Sequence, residues 1–218
     1  MTDAILTLDD LRADLPITRE FIYLQTGSYA PVPEATQRYM AHWLHEENAR
    51  LIALGGKGAA STFYQQAETA RAALAHFLGV TDEEVAWSYN TTTATRLAVQ
   101  SLPWRAGDKL ALSDVEHAST FELVRGMEQT LGIKTTLIPT GEGSAYDPDY
   151  FLAQLDQQLT PDHRLLMLCH VANTDGRRLP VKAAVAMARA RGVATLIDGA
   201  QAIGVFPVDV GEIGADFY

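Results

Sequence analysis

Mostly apolar runs alternate with amphipathic stretches through the second half of the chain. Residues 165–171 and 193–197 are such runs, with the length of a strand that is buried on both faces. Between them, Pro180 suits a first helical position and Gly192 suits a helix end, so the pattern predicts a helix joining two parallel strands. We expect polar side chains at the carboxyl ends of these strands to face a ligand crevice.

The same alternation extends back to about residue 85. Strands are predicted at 85–89, 108–113 and 135–138, and helices at 90–102, 122–131 and 149–159. This order predicts an α/β fold, a doubly wound and mostly parallel sheet with flanking helices.

The first part of the chain has a helical pattern instead. Residues 1–20 are predicted to form a helical segment, followed by a short strand at 21–24 and a loop rich in glycine and proline. Helices are predicted at 34–54 and 61–78, with the sequence GGKG at 55–58 between them. This GGKG is either a phosphate-cradling loop or a plain hinge, and the hinge is favoured because the rest of a P-loop pattern is missing.

Charge and composition limit the kinds of molecule that this chain is expected to bind. The net charge is -10 and no basic cluster occurs, which argues against nucleic acid and against an anionic membrane surface. The single cysteine, Cys169, lies in an apolar run, and the acidic N-terminus lacks the features of a signal peptide, so we expect a cytoplasmic protein. No run is long enough to span a bilayer, and the scattered histidines suggest no metal site.

Candidate chemistry begins where predicted strands end and helices start. The start of the helix at 90–102 carries Thr91, Thr92 and Thr93, which either bind an anion at the helix N-terminus or serve only as an N-cap. His117 lies in the next strand-to-helix turn, where it is either functional or structural.

Three further polar residues follow the last two predicted strands. Asn173 comes after the first of them, Asp198 ends the second, and Gln201 lies just beyond it. With His117 and the threonines, this set suits a flat, phosphorylated, heteroaromatic cofactor. Asp198 would pair with a protonated ring nitrogen and so keep the ring an electron sink.

Four motifs carry a family resemblance that covers about residues 20–218. They are NTTTAT at 90–95, EHAST at 116–120, HVANTDGRRLPV at 170–181 and LIDGAQAIGVFPVDV at 196–210. With these motifs the chain resembles the class V aminotransferases, fold type I enzymes that use pyridoxal 5'-phosphate. The resemblance implies His117 and Asp198 as catalytic residues and the following cofactor contacts: Thr92 and Thr93 at the phosphate, His117 stacked on the ring, Asn173 near the ring hydroxyl, Asp198 at the pyridine nitrogen and Gln201 at the ring oxygen.

The resemblance also implies an activity. Such an enzyme acts on a small amino acid through an external aldimine and works as a homodimer. Epimerisation, β-elimination, desulfuration and amino transfer all stay open, although YLQTGSYAPVP at 23–33 is more similar to the isopenicillin-N-epimerase-like branch than to the cysteine desulfurases. Residues 1–60 would form an N-terminal arm and part of a small domain, and residues 61–218 the first part of the cofactor-binding large domain.

One departure from the family concerns the lysine that forms the Schiff base. The family places it a few residues beyond the strand that here ends in GADFY, and Lys57, Lys109, Lys134 and Lys182 do not match that place. We therefore expect the 218 residues to be the first half of an enzyme about twice as long and inactive alone. Two alternatives stay open: a non-catalytic cofactor-binding or assembly fragment, and a hydrolase that uses Asp198 with a metal or His117 with Ser119.

Overall fold

A computed structural model describes residues 7–141 and 146–218, apart from the side chains of residue 54 and of residues 56–61. The chain divides into two compact units, Met1–Ala70 and Arg71–Tyr218. The assignment of residues 1–60 and 61–218 to domains of the family stays a prediction. None of the helices in the described ranges combines the length and apolar character needed to cross a membrane.

The first unit is helical. It contains α1 (Leu8–Ala13), α2 (Glu34–His42), α3 (Asn48–Leu54) and the first part of α4 (Gly56–Leu78). A π-helical turn at Trp43–Glu47 joins α2 to α3, so the predicted helix at 34–54 is confirmed as a continuous helical path. Gly55 ends this path at a φ of 69°, a value that glycine adopts without strain. Because α4 begins at the next residue, the prediction of a loop or hinge over GGKG is wrong beyond Gly55.

Two predicted strands are not formed. Residues 21–24 and 85–89 belong to no strand, and within the described ranges no strand pairs with them. Ile22 and Tyr89 are almost fully exposed. Short apolar runs become strands only when a neighbouring strand satisfies their backbone groups, and no periodicity in the sequence reports such a neighbour.

The second unit is built on a four-stranded parallel sheet. Its strands are β1 (Lys109–Ser113), β2 (Lys134–Ile138), β3 (His163–Cys169) and β4 (Ala194–Asp198), in the order β2-β1-β3-β4. Phe217 adds a single parallel bridge beside β4, through its backbone contacts with Thr195 and Ile197. The predicted α/β fold with a parallel sheet is therefore confirmed.

Helices cover both faces of this sheet. They are α5 (Thr91–Gln100), α6 (Ala118–Leu131), α7 (Pro148–Gln158), α8 (Val181–Ala190) and the short α9 (Val210–Ile213). Leu110 and Leu112 of β1 belong to the core shared with α5 and α6, whereas Ala111 belongs to the core shared with α7 and α8. The alternation along β1 thus supplies both cores, which explains why residues 110–112 are all apolar.

The strand order places a reversal of winding between β1 and β3. The chain leaves β1 through α6 to reach β2 on one side, and it leaves β3 through α8 to reach β4 on the other side. In open α/β sheets the loops at such a point diverge and leave a crevice at the carboxyl ends of the strands. The segments that follow β1 and β3 therefore border this crevice.

Candidate functional site

Two helix N-termini meet beside the end of β1. The helix α5 begins after Asn90, whose side-chain oxygen accepts a hydrogen bond of 2.9 Å from the backbone N–H of Thr93. Because Asn90 already caps the helix, the hydroxyl of the exposed Thr92 is not required as the N-cap. The hydroxyl-rich start of α5 therefore keeps its capacity to contact an anion, together with the backbone N–H groups of the first turn.

The second N-terminus belongs to α6, and His117 is its capping residue. The Nδ1 atom of His117 accepts from the backbone N–H of Ser119 at 3.2 Å and lies 2.7 Å from the Ser119 hydroxyl. The Thr92 hydroxyl donates to Ser119 Oγ at 3.4 Å, which links the starts of α5 and α6. The two N-termini and their hydroxyl groups consequently form one continuous polar surface.

The same contacts assign the protonation of the His117 ring. Since Nδ1 accepts from the backbone N–H of Ser119, the proton of the neutral ring belongs on Nε2. The Ser119 hydroxyl then donates to Nδ1. The side chain of His117 is exposed, so one face of the ring is available for stacking.

Glu116 was not among the residues selected from the sequence, yet it lies at the centre of this region. Its side chain is 5% exposed, and its Oε1 atom accepts from the Ser113 hydroxyl at 2.5 Å and from the backbone N–H of Cys169 at 2.8 Å. Burial, and to a smaller extent the charge of Asp198, raises the pKa of the Glu116 carboxyl to about 7. The signals in the sequence were its place in the EHAST motif and its position between a buried strand and His117.

Asp198 is the last residue of β4, at the edge where the strands end. Its backbone pairs with Cys169, and its Oδ1 atom accepts from the backbone N–H of Ala200 at 2.9 Å. Burial, together with the charges of Glu116 and Asp198, raises the pKa of the Cys169 thiol. Cys169 is therefore a structural thiol, held protonated inside the sheet.

An aromatic ring packs against the turn that follows Asp198. The Tyr218 hydroxyl lies 2.8 Å from His170 Nδ1, and a Cβ atom added to Gly199 would lie only 2.2 Å from the Tyr218 ring. Burial raises the pKa of Tyr218 to about 12 and lowers that of His170 to about 4. Both side chains are therefore neutral near pH 7, and only Gly199 allows the ring to approach the turn after β4 this closely.

The remaining residues that the sequence selected lie in two separate turns. Asn173 is exposed in the turn after β3, which is closed by the Gly176 N–H donating to the Ala172 carbonyl at 2.9 Å. Gln201 is half-buried in the turn after β4. Ser119 thus joins Thr92 to His117, and Glu116, the residue before His117, bonds to Cys169, whose backbone pairs with Asp198. Asn173 and Gln201 border the same edge from their own turns.

This edge of the sheet combines three chemical capacities. The helix N-termini can bind an anion, the exposed imidazole can stack on a flat ring, and the Asp198 carboxylate can accept a hydrogen bond from a cationic ring nitrogen. Within residues 7–141 and 146–218, no group of three His, Cys, Asp or Glu side chains could hold a metal ion. The residues present fit a phosphorylated aromatic ligand.

The family model described as "Aminotransferase class-V" matches residues 22–218. The chain belongs to this family. Its known relatives include a probable cysteine desulfurase of Methanothermobacter thermautotrophicus, 30% identical over 213 residues, which cover 96% of this chain and 51% of the relative. A probable cysteine desulfurase of Vibrio cholerae is 29% identical, over 98% of this chain and 54% of that protein.

Two solved structures share the fold of this chain. The cystine C-S lyase C-DES in complex with cysteine persulfide superposes with a TM-score of 0.77 at 25% identity, over 93% of this chain and 54% of that one. The apo cysteine desulfurase of Thermococcus onnurineus NA1 reaches a TM-score of 0.82 at 23% identity, over 98% of this chain and 53% of that one. The chain thus spans about half the length of these relatives and solved structures.

Proposed function

We propose that this chain supplies the pyridoxal 5'-phosphate site of a class V enzyme that removes sulfur from cysteine or a related amino acid. The observation that carries the proposal is the joining of two helix N-termini, through Thr92, Ser119 and His117, at the sheet edge where Asp198 ends β4. The names of the relatives support sulfur chemistry. Because these relatives are desulfurases and a lyase, we propose sulfur chemistry rather than the epimerase-like chemistry that residues 23–33 favoured.

Each residue has a proposed role toward the cofactor. The phosphate would be held by the hydroxyl groups of Thr92 and Thr93, and the ring would lie against the His117 imidazole. When bound, pyridoxal phosphate supplies an electron sink for charge that develops on the substrate. Asp198 would keep the ring nitrogen protonated, because an anion at that position stabilises the cationic form.

Asn173 and Gln201 are proposed to donate hydrogen bonds to the ring oxygen. Both follow strands whose carboxyl ends border the crevice, which is the placement that this role requires. As the resemblance implies, we also expect a homodimer in the cytoplasm, and the mass of the purified protein in solution tests the dimer.

The hydrolase alternative rested on His117 and Ser119 as a base and a nucleophile. Their contact at 2.7 Å exists, but the same nitrogen accepts from the backbone N–H of Ser119 and so caps α6. Helix capping accounts for the pair without a catalytic role.

The test combines cofactor binding with turnover in the full-length protein. We expect the protein to bind pyridoxal phosphate and to release sulfur from L-cysteine, and Asp198→Asn to lower kcat by at least about 100-fold, or about 3 kcal/mol of transition-state stabilisation. Asp149→Asn, an exposed carboxylate at the start of α7, is the matched control and should leave kcat unchanged. Full turnover in Asp198→Asn would refute the role of Asp198, and a wild-type protein without affinity for the cofactor would refute the function.

A further inference from the structure

The Glu116 carboxyl joins two strands at the place where their backbone pairing stops. The pairing of β1 with β3 ends at Leu112 and Met167, two residues before the end of β3. Beyond that pair, Glu116 Oε1 accepts the backbone N–H of Cys169, which otherwise would have no strand partner on that side. The side chain thus continues the connection between β1 and β3 at the winding reversal that borders the crevice.

The second hydrogen bond of the same oxygen fixes the turn itself. Ser113, the last residue of β1, is fully buried and donates its hydroxyl to Glu116 Oε1. The Cys169 thiol contacts the carbonyl of Val115 at 3.6 Å, so the turn touches the end of β3 a second time. The residue after Glu116 is His117, the N-cap of α6, and its place is therefore set by this attachment.

The other end of the attachment leads to Asp198. Cys169 receives the Glu116 hydrogen bond, and its backbone pairs with Asp198 on β4. The backbone N–H of His170 donates to the Asp198 carbonyl at 2.8 Å. The buried carboxyl of Glu116 therefore links His117, which is proposed to stack on the ring, to Asp198, which is proposed to pair with the ring nitrogen.

We propose that Glu116 is a positioning residue, whose buried carboxyl fastens the turn after β1 to the end of β3 and so fixes the His117 ring relative to Asp198. This inference rests on the proposed function, which assigns His117 and Asp198 their roles at the cofactor. Glu116 needs no contact with the cofactor in this role. Only Oε1 accepts the two hydrogen bonds, so a proton on Oε2 leaves both in place and a glutamine can reproduce them.

The experiment compares Glu116→Ala, which removes the acceptor, with Glu116→Gln, which keeps it. Glu122→Ala is the control, because Glu122 is an exposed carboxylate on α6 itself. The first readout is the ring 15N signals of His117 in the cofactor-free, full-length protein, assigned with His117→Gln. The second readout is the Kd for pyridoxal phosphate from a fluorescence titration.

We expect Glu116→Ala to shift or split the His117 signals and to raise the Kd about tenfold, or about 1.4 kcal/mol. Glu116→Gln and Glu122→Ala should keep the wild-type signals and a Kd within about twofold of the wild-type value. A purely structural glutamate would lower stability without moving the ring signals.

Several outcomes overturn the inference. Wild-type signals and Kd in Glu116→Ala would do so, as would a glutamine variant that is as impaired as the alanine variant. If the alanine variant does not fold, Ser113→Ala replaces it and should shift the His117 signals in the same direction. A wild-type protein that binds no pyridoxal phosphate refutes the proposed function, whereas the ring signals of the cofactor-free protein still decide the role of Glu116.

Discussion

Replacing Glu116 by glutamine should change how the stability of the fold depends on pH. The carboxyl is buried at the ends of β1 and β3, and burial raises its pKa from the ordinary 4.5 to about 7. A folded-state pKa above the unfolded value means that the folded chain binds the proton more tightly. The resulting stabilisation is fully present below pH 4.5 and is lost as the pH rises through 7.

The size of the effect follows from the two pKa values. Each unit of pKa is worth about 1.4 kcal/mol, so values of 4.5 and about 7 correspond to about 3 kcal/mol of unfolding free energy. Glutamine keeps the acceptor oxygen and the shape but binds no proton. The wild-type protein should therefore lose about 3 kcal/mol relative to Glu116→Gln between pH 4.5 and pH 8.

Urea unfolding of both proteins across this pH range, followed by circular dichroism, measures the difference. Using the difference between the two proteins cancels the contributions of His163 and His170, whose pKa values are lowered mainly by burial and which therefore act in the opposite direction. Glu122→Gln, at an exposed carboxylate on α6, is the control for the substitution itself. A stability difference between wild type and Glu116→Gln that does not vary with pH would show that burial does not raise the pKa of the Glu116 carboxyl, and it would refute the reasoning.

Two further predictions concern glycine and capping positions. Gly199→Ala should destabilise the fold by about 1–3 kcal/mol in urea unfolding, because its Cβ would overlap the Tyr218 ring. Gly126→Ala, in α6 with open space around it, should instead stabilise the fold by up to about 1 kcal/mol. Equal effects of Gly199→Ala and Gly126→Ala on the unfolding free energy would contradict the packing argument. Asn90→Ala should cost about 1 kcal/mol by removing the N-cap of α5, and an unchanged unfolding midpoint would mean that a threonine hydroxyl takes over the cap.

Much of the fold and part of the site follow from the sequence alone. The mostly apolar runs before Asn173 and Asp198 predicted β3 and β4, because a strand covered by helices on both faces has no polar side. Pro180 and Gly192 predicted the bounds of α8 within a residue or two, since their backbone preferences are local. The family motifs lie in these same turns, so the amino-acid pattern is enough to select His117, Asn173, Asp198 and Gln201, and their roles stay predictions.

Tertiary structure decided what local pattern could not. Residues 21–24 and 85–89 have strand-like composition and form no strand, because strand formation depends on a neighbour that is distant in sequence. From the sequence, Glu116 resembles an exposed residue of a turn. It is buried because the strand order places β3 beside β1, so that Glu116 contacts Cys169 more than fifty residues along the chain. The sequence by itself determined the elements and the chemistry at their ends, whereas burial, hydrogen-bond partners and the raised pKa of Glu116 required the order of the strands, since only packing removes water from a carboxyl group.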